Sequence, residues 1–157
     1  MDAFLATHHR LLNAVDYRTH RYLFNNFNIN NRLTGIIGPR GTGKTTLILQ
    51  FIKEKLAAPE KAIYAALDNI YFSSHSLLDF VNELYEFYGI RYFFLDEVHK
   101  YSGWNQELKN IYDSYPDVKV VFSGSSSIDL VKGSYDLSRR ASMFRLTGMS
   151  FREYLEF

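Results

Sequence analysis

The strongest constraint on the fold is a glycine-rich loop between an apolar run and a helical pattern. Residues 38–45 read GPRGTGKT and fit the pattern G-x-x-x-x-G-K-[ST] in full. The apolar run LTGIIG precedes the loop at 33–38, and apolar residues recur at helical spacing after Lys44. This pattern predicts a buried strand that turns through glycines into a helix, with an anion-binding loop between the two.

Each part of this loop suits a bound triphosphate. Glycines let backbone N–H groups approach phosphate oxygens, and the helix from Lys44 points its positive end at the same place. Lys44 is expected to reach the β- and γ-phosphates, Thr45 to ligate Mg²⁺, and Thr46 to meet the α-phosphate. The predicted nucleotide-binding residues are Gly38, Pro39, Arg40, Gly41, Thr42, Gly43, Lys44, Thr45 and Thr46.

Two adjacent carboxylates follow a later apolar run. Residues 92–95 read YFFL and lead into Asp96 and Glu97, at the carboxyl end of a predicted strand, where ligands of open α/β sheets bind. Asp96 is the predicted metal ligand together with Thr45, and Glu97 is the predicted base that polarises an attacking water. Because the chain has this glutamate and no N/T-K-x-D guanine-reading motif, we expect an ATPase with ATP and Mg²⁺ as cofactors.

Two further pairs of residues are catalytic candidates. Ser123 and Ser125 end the next predicted strand and could contact the γ-phosphate or the attacking water. A hydroxyl-rich turn without a catalytic role is the alternative. Arg139 and Arg140 precede the last predicted strand, and one of them could act as an arginine finger in its own subunit or in a neighbour. Arginines exposed to solvent are the alternative interpretation.

The chain alternates between strand and helix patterns from residue 33 onward. A short helix is also predicted near 128–131, and Ser150 with Glu153 predicts a capping box. This alternation predicts an α/β three-layer sandwich of the P-loop NTPase class, a parallel five-stranded sheet with helices on both faces. The predicted strands are 33–38, 62–67, 91–96, 118–122 and 142–147.

Length and composition limit the remaining choices. We divide the 157 residues into an N-terminal helical and linker segment, 1–32, and a P-loop ATPase core, 33–157. A net charge of +1 gives no overall field that would attract nucleic acid or an anionic membrane. The absence of cysteine excludes disulfides and thiolate metal sites. With no secretory signal and no apolar run near ~20 residues, a cytoplasmic location is expected.

These segments together resemble AAA+-type ATPases of bacteria and archaea, in particular the group with GPRxxGKT loops. The resemblance implies an AAA+/RecA-like strand order and ATP hydrolysis. It also implies a C-terminal winged-helix-like, nuclease-like or uncharacterised domain, so the chain is expected to be truncated before that domain. His99 occupies a position where this family often has glutamine. The matching segments are 38–47, 93–113, 120–127 and 137–157.

The predicted function is Mg-dependent ATP binding and hydrolysis by an AAA+-type domain. One alternative is a nucleotide-gated switch or interaction module with slow hydrolysis. Another is a DNA-associated motor, which the near-neutral charge does not favour. The expected partners are ATP, further copies of the chain in a homo-oligomer, and the missing C-terminal domain, with no membrane partner.

Overall fold

Five strands, six α-helices and three short 3₁₀ helices have bounds within residues 1–125, 137 and 139–157, which are the residues that the computed structural model describes. The helix predicted near 128–131 lies outside these residues. The strands are β1 Leu33–Ile37, β2 Ala62–Ala66, β3 Tyr92–Asp96, β4 Lys119–Gly124 and β5 Ala141–Arg145. The helices are α1 Asp2–Ala14, α2 Leu23–Asn26, α3 Lys44–Glu54, α4 Leu77–Tyr88, α5 Trp104–Ser114 and α6 Phe151–Glu156.

The five strands form one parallel sheet in the order β2-β3-β4-β1-β5. The predicted parallel sheet and its strand order are therefore confirmed. All carboxyl ends of the strands lie at one end of the sheet, so the loop after β1 and the carboxylates after β3 meet there. Each predicted strand overlaps an observed one, with boundaries that differ by one or two residues.

Helices cover both faces of the sheet because successive strand residues point to opposite faces. On one face, α4 and α5 pack over a core that also includes Phe4 of α1. On the other face, α3 packs with Phe24 of α2 and with Phe27. The strand residues divide accordingly into Ile63, Ala65, Phe93, Leu95, Val120 and Phe122 on the first face and Ala62, Tyr64, Phe94 and Val121 on the second.

Helix α1 packs against β2, the strand at one edge of the sheet. The backbone N–H of Tyr64 donates to Nδ1 of His8 at 3.1 Å, and His8 is buried. Burial, with a smaller contribution from the charge of His9, lowers the pKa of His8 to about 4. His8 is therefore neutral, and its ring accepts a hydrogen bond from a backbone N–H of the edge strand β2.

The ends of α4 and α6 follow ordinary capping rules. Ser76 Oγ accepts from the N–H of Asp79 at 3.0 Å, and Gly89 ends α4 in the left-handed region at φ 68°. The predicted capping box is present, with Ser150 Oγ accepting from the N–H of Glu153 at 3.2 Å. Among the described residues, no helix has the length and apolar character needed to cross a membrane.

Candidate nucleotide-binding site

The loop after β1 enters α3 without a side-chain cap. Gly43 is the N-cap of α3 and, as a glycine, makes no side-chain cap hydrogen bond. Gly41 and Gly43 have φ of 78° and 91°, a region that L side chains rarely adopt. In contrast to α4, where Ser76 fills this role, the N–H groups at the start of α3 are left for an external anion.

Gly38 is required by the protein's own backbone. A Cβ at this position would lie 2.0 Å from the carbonyl oxygen of Leu146. The N–H of Leu146 donates to the carbonyl of Ile37 at 2.8 Å, so the chain after β5 runs against the start of the loop. The first glycine of the motif therefore permits the close approach of two backbone segments as well as the turn itself.

Lys44 lies inside the loop. Its Nζ donates to the carbonyl oxygens of Gly38 at 2.9 Å and Pro39 at 2.8 Å, and the residue is 6% exposed. Burial lowers the pKa of Lys44, while the charges of Asp96 and Glu97 act in the opposite direction. An ammonium group is thus held between the loop and the two carboxylates.

Asp96 is the centre of the site and is 2% exposed. One carboxylate oxygen accepts from the Thr45 hydroxyl and from the Tyr64 hydroxyl, the latter at 2.9 Å. The other accepts from the Ser123 hydroxyl and from the backbone N–H of Glu97 at 3.0 Å. The structure therefore brings the two predicted metal ligands into direct contact and joins α3, β2, β3 and β4 at one carboxylate.

Tyr64 is a further member of this site that no sequence motif predicts. Ala66 is in register with Asp96 across β2 and β3, so Tyr64 lies two residues earlier on the same face as Ala66. A tyrosine within an otherwise aliphatic strand, AIYAA, is the signal that could have identified it. Burial first, and then the charge of Asp96, raises the pKa of Tyr64, so its hydroxyl remains a donor.

Glu97 has the only positive φ among described residues other than glycine, at 54°. Its carboxylate Oε2 lies 3.3 Å from Nε2 of His99, and its side chain is 35% exposed. Nδ1 of His99 accepts from the backbone N–H of Ser125 at 3.3 Å. Of the two serine candidates, Ser123 thus contacts Asp96 through its hydroxyl, whereas Ser125 meets His99 through its backbone.

Arg139 and Arg140 lie at the amino end of the sheet, opposite to the phosphate loop. They immediately precede β5, in which Ala141 is in register with Leu33 at the start of β1. Five strand residues at about 3.3 Å each place the two ends of the sheet roughly 16 Å apart. Arg139 is exposed, and Nε of Arg140 lies 3.8 Å from Asp113 Oδ1.

A buried arginine connects the loop to the C-terminal helix. Arg21 donates to the carbonyl of Thr42, to the carbonyl of Thr147 at 2.8 Å and to Glu153 Oε1 at 2.9 Å. Glu153 also accepts from the N–H of Tyr22 at 2.8 Å. Mainly because of the Arg21 hydrogen bond, the pKa of Glu153 falls to about 2. We call this cluster, which consists of Arg21, Tyr22, Thr42, Thr147 and Glu153, the Arg21 clasp.

A cavity of about 120 Å³ lies between the phosphate loop and the Arg21 clasp. It opens beside α3, the segment before α2 and the residues that flank α6. Its walls combine apolar and hydrogen-bonding side chains, among them Thr19, Arg21, Thr46, Gln50, Met149 and Phe157.

The residues present suit a magnesium ion that is bound together with phosphate. The Thr45 hydroxyl and the Asp96 carboxylate are hard oxygen donors in contact with each other. No cluster of three or more His, Cys, Asp or Glu residues able to hold a metal occurs in the described part of the chain. A magnesium ion here would therefore complete its coordination with water and phosphate oxygens.

The parallel sheet and the loop define a P-loop nucleotide-binding domain of the α/β class. A family model described as an AAA domain matches residues 30–155. The chain therefore belongs to this AAA domain family, and the predicted resemblance to AAA+-type ATPases is confirmed. Among curated proteins, none matches this chain.

Solved structures share the fold at low sequence identity. Caenorhabditis elegans PCH-2 has a TM-score of 0.53 and 20% identity, covering 98% of this chain and 43% of its own. The Saccharomyces cerevisiae Hsp104–ADP complex has a TM-score of 0.65 and 15% identity, covering 93% of this chain and 24% of its own. AMPPCP-bound DnaA from Aquifex aeolicus has a TM-score of 0.52 and 18% identity, and the match covers 78% of this chain and 43% of the DnaA chain. This chain spans less than half the length of each.

Proposed function

We propose that this domain binds ATP with Mg²⁺ and hydrolyses it. The observation that carries the proposal is the direct contact between the Thr45 hydroxyl of the phosphate loop and the Asp96 carboxylate, with Glu97 as the next residue. The nucleotide complexes named for Hsp104 and DnaA, with ADP and AMPPCP, agree with a nucleotide ligand for this fold.

In this proposal the triphosphate is held by the loop backbone, the start of α3 and Lys44. The Lys44 ammonium exchanges its carbonyl acceptors on Gly38 and Pro39 for phosphate oxygens. Thr45 and Asp96 would hold Mg²⁺, which neutralises charge on the phosphate oxygens when bound. Thr46 is exposed at the start of α3 and lines the cavity beside the loop. In this proposal it lies between the phosphates and the nucleoside.

Glu97 is the proposed general base. Its partly exposed carboxylate lies beside the buried Asp96, so it can accept a proton from a water that attacks the terminal phosphate. Ser123 donates its hydroxyl to Asp96 from β4 and keeps that carboxylate in place. Ser125 is proposed to act only through its backbone.

The cavity beside the loop is the proposed site of the adenine base. Leu47 and Met149 supply apolar surface, while Gln50 and the Arg21 clasp supply polar groups at the rim. Gln50 donates to the carbonyls of Asp16 and Thr19, at 2.7 and 2.8 Å, which fixes the segment that forms one wall.

Arg139 and Arg140 are proposed to act on a neighbouring copy if either is an arginine finger. Both lie at the end of the sheet opposite to the phosphate loop of their own chain. In a homo-oligomer, the same residues would face the nucleotide of another subunit if the two chains meet at this end of the sheet. Mixing an Arg139→Ala/Arg140→Ala chain with a Lys44→Ala chain tests this, because complementary sites would then regain hydrolysis in part of the population.

The experiment that tests the proposed function measures nucleotide binding and phosphate release on the same preparations. We expect Lys44→Ala to lose binding of a fluorescent ATP analogue. Glu97→Gln should bind the analogue but turn over about 100-fold or more slowly, because the base is removed while the loop is intact. Glu86→Gln, an exposed carboxylate on α4, is the matched control and should behave as wild type. Unchanged turnover in Glu97→Gln would contradict the base assignment.

A nucleotide-gated switch is a second candidate, favoured by the Arg21 clasp. Arg21 contacts Thr42 in the phosphate loop and Glu153 in α6. A change in the loop on nucleotide binding would therefore reach α6 directly. If the domain is a switch, ATP and ADP should produce different proteolysis rates at α6 in the Glu97→Gln variant, in which slow turnover lets ATP persist.

A further inference from the structure

His99 lies between the proposed base and the tip of β4. Its Nε2 is 3.3 Å from Glu97 Oε2, and its Nδ1 accepts from the backbone N–H of Ser125 at 3.3 Å. The His99 side chain is 14% exposed, much less than the 35% of Glu97. The imidazole therefore has a defined partner on each ring nitrogen.

The Ser125 contact determines which ring nitrogen carries the proton. A backbone N–H can only donate, so Nδ1 must be the unprotonated acceptor. In the neutral ring, Nε2 then carries the hydrogen, and this is the ring nitrogen that lies 3.3 Å from Glu97 Oε2. The same backbone group thus places the protonated ring nitrogen on the side of the glutamate.

We propose that His99 is a positioning residue that holds the Glu97 carboxylate in its reactive orientation. This inference rests on the proposed function, in which Glu97 is the base. The polar contact between His99 Nε2 and Oε2 of the glutamate leaves Oε1 to take a proton from water. The arrangement is that of a base oriented by a third group.

The Glu97 backbone is already fixed from both sides. Its N–H donates to Asp96 Oδ1 at 3.0 Å, and its carbonyl accepts from the N–H of Lys100 at 3.0 Å. What remains free is rotation about the side-chain bonds of a partly exposed glutamate. The polar contact with His99 Nε2, at 3.3 Å, restrains that rotation.

The β4 tip thereby orients both carboxylates of the site. Ser123 donates its hydroxyl to Asp96, and two residues later Ser125 donates its N–H to His99, which in turn contacts Glu97. A displacement of this strand end would therefore shift both Asp96, the proposed metal ligand, and Glu97, the proposed base.

The test compares His99→Ala and His99→Gln with wild type in the full-length chain. We expect His99→Ala to lower kcat by about 10- to 100-fold, a loss typical of a misplaced reacting group. Affinity for a fluorescent ATP analogue should be unchanged, since His99 contacts no residue of the phosphate loop in the described structure. His99→Gln should recover most of the lost kcat, because its amide can both donate to Glu97 and accept from Ser125.

His75→Ala is the matched control for loss of a histidine. The described contacts of His75 are with Ser74 and Tyr71, and we expect wild-type turnover from this variant. Repeating His99→Ala in a Glu97→Gln background separates positioning from a general structural effect. If His99 acts through Glu97, the second change should have no further effect on the residual rate.

A His99→Ala variant with wild-type kcat would overturn the inference, and so would an equal loss of rate in the Glu97→Gln background. A failure of the proposed function would look different, since wild type itself would then release no phosphate. A long-range ¹⁵N spectrum of the imidazole decides the geometry independently of turnover. It should show protonated Nε2 and unprotonated Nδ1; the opposite tautomer would contradict the contact with Ser125.

Discussion

Thr34 is fully buried in β1, and its hydroxyl has no hydrogen-bond partner among the described residues. Replacing it by valine keeps the shape and removes a polar group without a partner. We expect Thr34→Val to stabilise the fold by about 1–2 kcal/mol, seen as a rise in Tm of ~2–4 °C per kcal/mol. Thermal unfolding monitored by circular dichroism measures this, with Thr34→Ser as the control that keeps the hydroxyl. A lower Tm for the valine variant would argue against an unsatisfied hydroxyl.

Asp96 makes a second prediction for a single residue. Asp96→Asn keeps the size of the side chain but removes the charge that would hold Mg²⁺. We expect the gain in ATP affinity that Mg²⁺ provides to fall by about 10- to 100-fold. Titrations with and without Mg²⁺ measure it, and Asp2→Asn, an exposed aspartate in α1, should retain the full gain.

The residue types of the site could be predicted from the sequence, but some of the contacts could not. The contact between Thr45 and Asp96 follows from two linear motifs whose positions in a parallel sheet are known in advance. Tyr64 and Arg21 belong to no such motif. Tyr64 joins the site only because β2 pairs with β3, and Arg21 reaches Thr42 only after the segment before α2 packs on the loop.

At the level of the elements, the Arg21 clasp makes the docking of α6 depend on pH. The folded pKa of Glu153 is about 2, below its ordinary value of 4.5. The contribution of the ionised Glu153 to the free energy of unfolding is therefore complete above pH 4.5 and is lost as the pH falls from 4.5 toward 2. Urea unfolding at a series of pH values should show this loss in wild type and not in Glu153→Gln.

Glu153→Gln should also destabilise the protein at neutral pH. We expect a loss of about 2 kcal/mol, because a charged hydrogen-bond acceptor of Arg21 is removed while the carbonyl acceptors of Thr42 and Thr147 remain. Glu156→Gln, on the exposed side of the same helix, is the control. An equal effect in both variants would show that the clasp adds nothing specific.

Docking of α1 on β2 depends on pH in a higher range. The pKa of His8 is about 4 in the folded chain, below its ordinary value of 6.5. A lowered histidine pKa means that the unfolded chain binds the proton more readily, so stability is lost as the pH falls from 6.5 to 4. We expect His8→Asn, which keeps an acceptor for the Tyr64 N–H but does not titrate, to lose less stability over this interval.

The five strands were predictable because each is a short apolar run between turn signals and helical patterns. The way in which α1 and α6 dock was not predictable in the same way. Both involve polar contacts between residues more than fifty positions apart in the sequence, His8 with Tyr64 and Arg21 with Glu153. Periodicity carries no information on such pairs.

At the scale of the whole molecule, four of the exposed apolar side chains among the described residues lie in or directly after α6. Phe151 is 74% exposed, Tyr154 69%, Leu155 67% and Phe157 57%. A patch of this kind associates with other apolar surfaces. We expect Phe151→Ser/Leu155→Ser to lower the binding of a hydrophobic dye and to reduce concentration-dependent association in sedimentation experiments. Phe87→Ser, at an exposed phenylalanine on α4, should change neither.

The docking of α1 on β2 also bears on how this sheet behaves in a concentrated solution. An edge strand offers unpaired N–H and C=O groups to which a strand of another chain can add, the first step toward fibrous aggregates. His8 occupies one of these N–H groups, on Tyr64, and α1 covers the strand around it. The N-terminal helix thus hinders the addition of a strand from another chain. If α1 were released, the backbone groups of β2 would become available for pairing between chains.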